Sequence, residues 1–168
     1  AIYSRRADHI MQIGEEAPTA QPDLRPGQIV IKDLDGYVRD ENGNPKVDEN
    51  GRFMLLGRPD GIIDEADTEL IGTLDPGWMA SMTNTFKYKG FDLNIMFNGM
   101  FDRIMQDPTE MDFGVNGGGI AQSGYNMLRT IKDRWTFDNP STTRPSSYYI
   151  TGTNYPAGDF FYQKAWFI

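Results

Sequence analysis

The sequence predicts an all-β chain: part of a transmembrane antiparallel β-barrel with long loops and one short helix within a loop. Three observations lead there. From Trp78 to Phe101 the residues alternate between apolar and polar around a Lys89-Gly90 turn, the period of a two-faced hairpin. Each arm is about eleven residues, which at roughly 3.3 Å per residue and a tilt near 45° spans about 25 Å, the height of a barrel's apolar band. Aromatic residues make up 12% of the 168 residues, with 18 Gly and 10 Pro, a composition that suits strands and long loops better than helices.

Composition excludes several function classes. A net charge of −8 argues against nucleic acid, whose binding calls for a basic face. Cysteine is absent and His9 is the single histidine. Disulfide frameworks, thiolate metal sites and cysteine nucleophiles are therefore excluded, and a serine–histidine triad is disfavoured. His9 itself reads as a surface residue. The opening Ala1-Ile2-Tyr3-Ser4-Arg5-Arg6 lacks the apolar core of a secretion signal. No apolar run reaches the length of a membrane helix, and a barrel strand needs none.

Residues 1–31 show little periodicity, and Pro18, Pro22 and Pro26 mark a loop. Gln28 to Ile31 reads as a short strand leading into an acidic stretch. That stretch runs from Lys32 to Gly72 and resembles a calcium loop with an excursion inserted after Gly36. Asp33 takes position 1, Asp35 position 3 and Asp60 position 5. Gly61 turns the chain, Ile62 offers its carbonyl, Asp64 is position 9 and Asp67 closes at position 12. A hard cation, Ca2+ or Mg2+, needs such a set of oxygens from alternate residues plus a terminal carboxylate. Contiguous readings fail: from Asp33 without the excursion, position 5 is Tyr37; from Asp40, position 12 is Gly51; from Asp48 it is Pro59. The competing reading is a set of acidic turn residues, because Asp-Gly is a common turn dipeptide.

The excursion carries Asp-Glu-Asn-Gly twice, at 40–43 and 48–51. Asn-Gly tolerates positive φ and favours tight turns, so Tyr37-Val38, Val47 and Phe53 to Leu56 read as pieces of a three-stranded meander.

In the hairpin, Trp78, Ala80, Met82, Asn84, Phe86 and Tyr88 share one face, continued by Phe91, Leu93, Ile95, Phe97 and Phe101. Asp92, Asn94 and Asn98 lie on the other, with Met96 and Met100 among them. Trp78 at one end, with Tyr88 and Phe91 at the other, suits two interfacial girdles. A soluble sandwich with the same face in its core has the same periodicity. Residues 102–157 are rich in loops. Gly117-Gly118-Gly119 is followed by no Gly-Lys-Ser/Thr, so it is not a phosphate loop. Ser123 is placed to cap a helix running to about Trp135, with Met127, Leu128, Ile131 and Trp135 on one packing face. Gly158 to Ile168 is aromatic and strand-like, as though the chain were a fragment ending within a strand.

Four stretches, in their order, resemble the SusC/RagA-type TonB-dependent outer-membrane transporters. They are Arg25-Pro26-Gly27-Gln28-Ile29-Val30-Ile31-Lys32-Asp33-Leu34-Asp35-Gly36; Asp60 to Asp67 with Ile71-Gly72; Asn84 to Ile95; and Arg134-Trp135-Thr136 with Asn139-Pro140-Ser141-Thr142. The most specific part is Phe86 to Ile95, and the resemblance extends from about Gly14 to Ile168. Two features depart from the family: its acidic loop is usually continuous, and it carries a basic residue where Tyr162 stands.

The resemblance implies a barrel in a Bacteroidetes-type, Gram-negative outer membrane. Residues 1–77 would be an extracellular loop region bearing the split acidic loop and the 37–59 insertion. Residues 78–101 would be a transmembrane hairpin, 102–157 an extracellular loop with a helix near 123–135, and 158–168 the start of the next strand. It also implies a SusD-like lipoprotein lid, TonB acting through an N-terminal part outside this chain, the remainder of the barrel, and an oligosaccharide or peptide substrate. The expected ion is then a structural brace near the lid. Tyr125, Trp135, Phe137, Tyr148, Tyr149 and Tyr155 are loop aromatics suited to stacking on sugar rings, though packing explains each as well. No base, nucleophile and orienting group come together, so an enzyme is not expected. The alternative is a soluble, secreted β-rich carbohydrate-binding module with a calcium-stabilised loop.

Overall fold

The computed structural model describes residues 1–110, 113, 124–147 and 158–167. Its elements are β1 (Ile2–Arg5), β2 (Ala7–Ile10), β3 (Ile29–Ile31), β4 (Thr68–Gly72), β5 (Trp78–Tyr88), β6 (Phe91–Gln106) and β7 (Tyr162–Phe167). Short 3-10 turns lie at Glu65–Asp67 and Arg129–Asp133. The architecture is all-β, and the sheets whose register is resolved are antiparallel. No helix among the described residues is long and apolar enough to cross a membrane.

The chain divides into two compact units. One comprises residues 1–3, 70–106 and 162–168; the other comprises 4–69 and 107–161.

The first unit is organised by the sheet β5-β6-β7. β5 and β6 pair without interruption from Trp78↔Phe101 to Tyr88↔Phe91. This register puts the even residues of β5 beside the odd residues of β6, so the two apolar runs form one continuous face. Lys89 and Gly90 both have positive φ, 46° and 86°, the primed turn whose twist matches that of paired strands. Trp78 stacks on Phe101 at 3.9 Å between ring centroids, and at the turn Lys89 Nζ lies 5.2 Å from the Tyr88 ring. The face is uncovered: Phe86, Tyr88, Leu93 and Phe97 are exposed, and Phe91 is 80% accessible.

β6 extends past Phe101 to Gln106 and pairs with β7 from Gln106↔Tyr162 to Met100↔Phe167. Register shifts between Met100 and Arg103. Asp102 there takes φ 59°, and both the Phe101 and Asp102 carbonyls accept from the Gly77 N–H, at 3.0 and 3.1 Å. This is the geometry of a β-bulge. The last strand therefore begins at Tyr162, with residues 158–161 forming a turn.

The second unit packs around Met11, Leu24 and Val30, with Ala17 against them. β2 pairs with β3 through Ala7↔Ile31, His9↔Val30 and Ile10↔Ile29. Gln21 is fully buried, and its Oε1 accepts the Ile31 N–H at 2.8 Å.

Residues 2–10, where the sequence shows little periodicity, form β1, which pairs with β4, and β2. Their polar residues hid the alternation because ion pairs with distant partners hold them: Arg5 to Glu65, Arg6 to Glu69 and Asp159, and Asp8 to Lys32. The helix expected over 123–135 is only the 3-10 turn Arg129–Asp133, flanked by extended Leu128 and Arg134. The backbone is drawn into longer-range bonds instead. The Leu128 N–H goes to Phe113 O at 3.0 Å, and the Trp135 N–H goes to Arg144 O at 3.0 Å. Ser123, the expected cap, lies outside the described residues, as do Gly117 to Gly119, Tyr148, Tyr149 and Tyr155. Of the residues expected on one packing face, Trp135 is buried, Met127 and Ile131 are half-buried and Leu128 is exposed.

Candidate functional site: the split acidic loop

The excursion brings its own ends together. Antiparallel bridges join Tyr37↔Leu55, Arg39↔Pro45 and Val47↔Phe53. The backbone bonds form a ring: Val38 N–H to Met54 O (2.9 Å), Met54 N–H to Lys46 O (2.9 Å) and Lys46 N–H to Val38 O (2.7 Å). Three segments thus pair in a closed triangle, and the first contacts the third as well as the second.

The two Asp-Glu-Asn-Gly turns are built alike. Asp40 Oδ1 accepts from the Asn42 and Asn44 N–H groups at 2.9 and 2.8 Å, and Asp48 Oδ1 accepts from Asn50 and Arg52 at 2.8 and 2.9 Å. The backbone N–H of Asn44, and at the second turn that of Arg52, is the main influence holding these carboxyls below their usual range.

Closure places the halves of the acidic loop side by side. Asp33 accepts from the Asp60 N–H (3.3 Å) and the Gly61 N–H (2.7 Å). Asp35 Oδ1 accepts from Gly36, Gly57 and Arg58, at 2.8, 2.7 and 3.2 Å. Asp60 lies against Gly36 so closely that a side chain at residue 36 would collide with its carboxyl group. Asp60 Oδ1 accepts from the Ile62 N–H at 3.0 Å, and Ile62 is exposed.

The second half is locked by a capping box around the 3-10 turn Glu65–Asp67. Asp64 accepts from the Ala66 N–H at 2.8 Å while Asp67 accepts from the Asp64 N–H at 2.8 Å. Such a box satisfies N–H groups that a helical turn leaves without partners. Asp67 also accepts from Leu34 and Asp35 across the split, at 2.7 and 3.3 Å, and is 0% accessible. Asp67 is therefore the closing residue, and backbone N–H groups are what it binds.

Arginines supply the positive charge here, and sequence reasoning missed them. Arg39 Nη2 donates to Asp64 Oδ2 at 2.9 Å and lies 3.9 Å from Asp60 Oδ2. Arg5 Nε donates to the Asp64 carbonyl at 2.9 Å, and its Nη2 reaches Glu65 at 3.1 Å. Their separations from Asp64, 25 and 59 residues, left no local signal. The insertion holds four basic residues, Arg39, Lys46, Arg52 and Arg58, and its sequence does not single out Arg39.

The six expected donor residues, Asp33, Asp35, Asp60, Ile62, Asp64 and Asp67, thus stand along one closed loop. Each carboxylate offers about four acceptor positions, so N–H bonds alone do not exhaust it. What bears on a cation is Arg39, which already places charge between Asp60 and Asp64. Among the described residues, no group of three or more Asp, Glu or His is disposed to hold a metal ion.

Of the loop aromatics expected on the surface, Tyr125 and Phe137 are exposed. Phe137 meets the buried Trp135 edge-on at 5.2 Å between centroids. Searches against protein-family models and against curated proteins return no match to this chain.

Proposed function

We propose that this chain is a piece of a TonB-dependent outer-membrane channel that imports oligosaccharides or peptides together with a SusD-like surface lipoprotein. The single observation carrying the reading is the β5–β6 hairpin. It keeps eleven consecutive cross-strand pairs in register, and one face is largely apolar, with Phe86, Tyr88, Phe91, Leu93 and Phe97 all exposed. Strand pairs of this length with an outward apolar face match what an outer-membrane barrel presents to lipid. A soluble module would have to bury that face in a core. The resemblance of Asn84 to Ile95 to the SusC/RagA-type transporters supports the same reading. The closed acidic loop would then serve as a brace on the extracellular side.

The test is a pair of substitutions in the middle of β6, in the chain assembled into lipid or detergent. Ile95→Lys places charge on the apolar face and should lower membrane assembly by about 2–4 kcal/mol near mid-bilayer. Asn94→Lys, on the opposite face, should assemble nearly normally. Equal tolerance of both would sink the membrane reading. A wild-type chain that folds in water without detergent, and that Ile95→Lys unfolds there, would point to the soluble binding module.

A further inference from the structure

We propose that Arg39 is the resident cation of the acidic loop, so that closure of the split loop does not depend on a divalent ion. Four observations carry this beyond the transport reading, and none of them requires it.

First, Arg39 bridges the carboxylates at positions 5 and 9 of the calcium-type pattern, with Nη2 at 2.9 Å from Asp64 Oδ2 and 3.9 Å from Asp60 Oδ2. A divalent ion between those two carboxylates would face the guanidinium as a like charge. Second, the arginine is placed by the insertion itself. Its Nη1 donates to Gly43 O at 3.2 Å in the first Asp-Glu-Asn-Gly turn, and its backbone bridges Pro45. The segment that interrupts the acidic pattern thus delivers a positive charge to two of its five carboxylates. Third, the position-12 carboxylate is committed to backbone N–H groups from Leu34, Asp35 and Asp64, which join the halves without an ion. Fourth, both oxygens of Asp33 accept N–H groups from Asp60 and Gly61, a second ion-free join.

The insertion and its arginine therefore act together. The closed triangle of 37–59 is the frame, and Arg39 is the charge it carries to Asp60 and Asp64. Charge-assisted hydrogen bonds to a carboxylate are about twice as strong as neutral ones, so Arg39 adds to the backbone bonds that join the halves.

The experiment is amide hydrogen exchange on the whole chain in detergent, read on peptides covering 33–36 and 60–67. It is run with calcium and with a chelator, for the wild type, Arg39→Gln and Arg39→Lys. Wild-type protection should be the same in calcium and in chelator. Arg39→Gln should exchange at least about tenfold faster in both peptides, the loss of a charge-assisted bond, while Arg39→Lys should recover part of the protection. Wild-type protection that falls on chelation overturns the proposal, leaving the carboxylates as ligands of a metal. Unchanged exchange in Arg39→Gln overturns it as well. The wild-type arm decides the matter even if a variant fails to fold. None of these outcomes depends on whether the hairpin lies in a membrane.

Discussion

His9 shows how much a single exposed side chain can report. Its Nδ1 lies 2.9 Å from Asp8 Oδ2 and its Nε2 2.5 Å from Glu15 Oε1. A neutral imidazole has one N–H, and an ionised carboxylate only accepts, so two such contacts require the imidazolium. The hydrogen bond to Asp8, then that to Glu15, accordingly raises the His9 pKa above its ordinary value of about 6.5. In the other direction, His9 draws the Asp8 carboxyl down, helped by Lys32 at 3.2 Å, and the Gln12 N–H, then His9, draw Glu15 down.

The sign of the linkage follows. The His9 contribution is complete below the unfolded pKa and is lost as pH rises through the raised folded value. The carboxylate contributions are lost as pH falls through their lowered values. The staple is therefore whole on the acidic side of neutrality. Proton NMR should find His9 titrating above about 6.5, and exchange protection at Gln12, whose N–H is held by Glu15, should fall as His9 deprotonates. His9→Gln should remove that alkaline step. A His9 titration at or below the free value would contradict the geometry.

Asp67 gives the matching prediction for a buried group. Asp67→Ala strips the partner from the Leu34, Asp35 and Asp64 N–H groups, and each buried donor left unsatisfied costs about 1–3 kcal/mol. Chemical denaturation monitored at Trp135 should show a loss of several kcal/mol, while Asp75→Ala, on an exposed turn, should be close to neutral.

At the scale of elements, legibility followed the range of the forces. The hairpin could be read because its alternation, its turn and its partner strand all lie within 24 consecutive residues, Trp78 to Phe101. β6 ran further than its pattern because Asp102, at φ 59°, breaks the parity on which the reading depended. β1 and β2 escaped notice because charged residues in and between them find partners up to 153 positions away, which no window of sequence contains. The split acidic loop lay between these cases. Its ligand-type spacing picked out Asp33, Asp35, Asp60, Asp64 and Asp67 as belonging together, and the structure brings them together. The spacing carried no trace of Arg39 or of the N–H groups those carboxylates accept.

The loop around Trp135 makes an element-scale prediction. Gly27 has φ +90°, and a Cβ there would stand 2.5 Å from Trp135 Cε3. The Ser146 N–H donates to Gly27 O at 2.7 Å, and Trp135 Nε1 lies 3.3 Å from Gln12 Oε1. Gly27→Ala combines a backbone penalty of roughly 1–2 kcal/mol for the left-handed region with a rigid clash against the indole ring. It should expel Trp135 from its site, seen as a red shift of tryptophan emission. Gly14→Ala, with positive φ but open space around it, should show the backbone penalty without the shift.

For the molecule as a whole, the sheet leaves two edges unpaired among the described residues. The order β5-β6-β7 makes β5 and β7 the edges of a three-stranded sheet. β5 offers eleven residues of backbone on its outer side, next to an apolar face. Long, flat, apolar edges associate with other strands unless something covers them, and lipid leaves every unpaired N–H and C=O at full cost, which is why spanning sheets close. The second unit differs in kind. It has a core of Met11, Leu24 and Val30, a closed insertion and a capping box built on the buried Asp67.

The expected outcome is that the chain in water loses order unevenly. In a detergent-free sample, exchange protection should persist at Met11, Val30 and the Leu34 and Asp64 amides, while β5 and β7 exchange rapidly and light scattering reports association. Detergent should suppress the scattering and raise protection across Thr83–Lys87 and Leu93–Phe97. A sharp, detergent-independent thermal transition that includes β5 would mean that the apolar face is buried in water, and the strand pair would then belong to a soluble core rather than to a barrel wall.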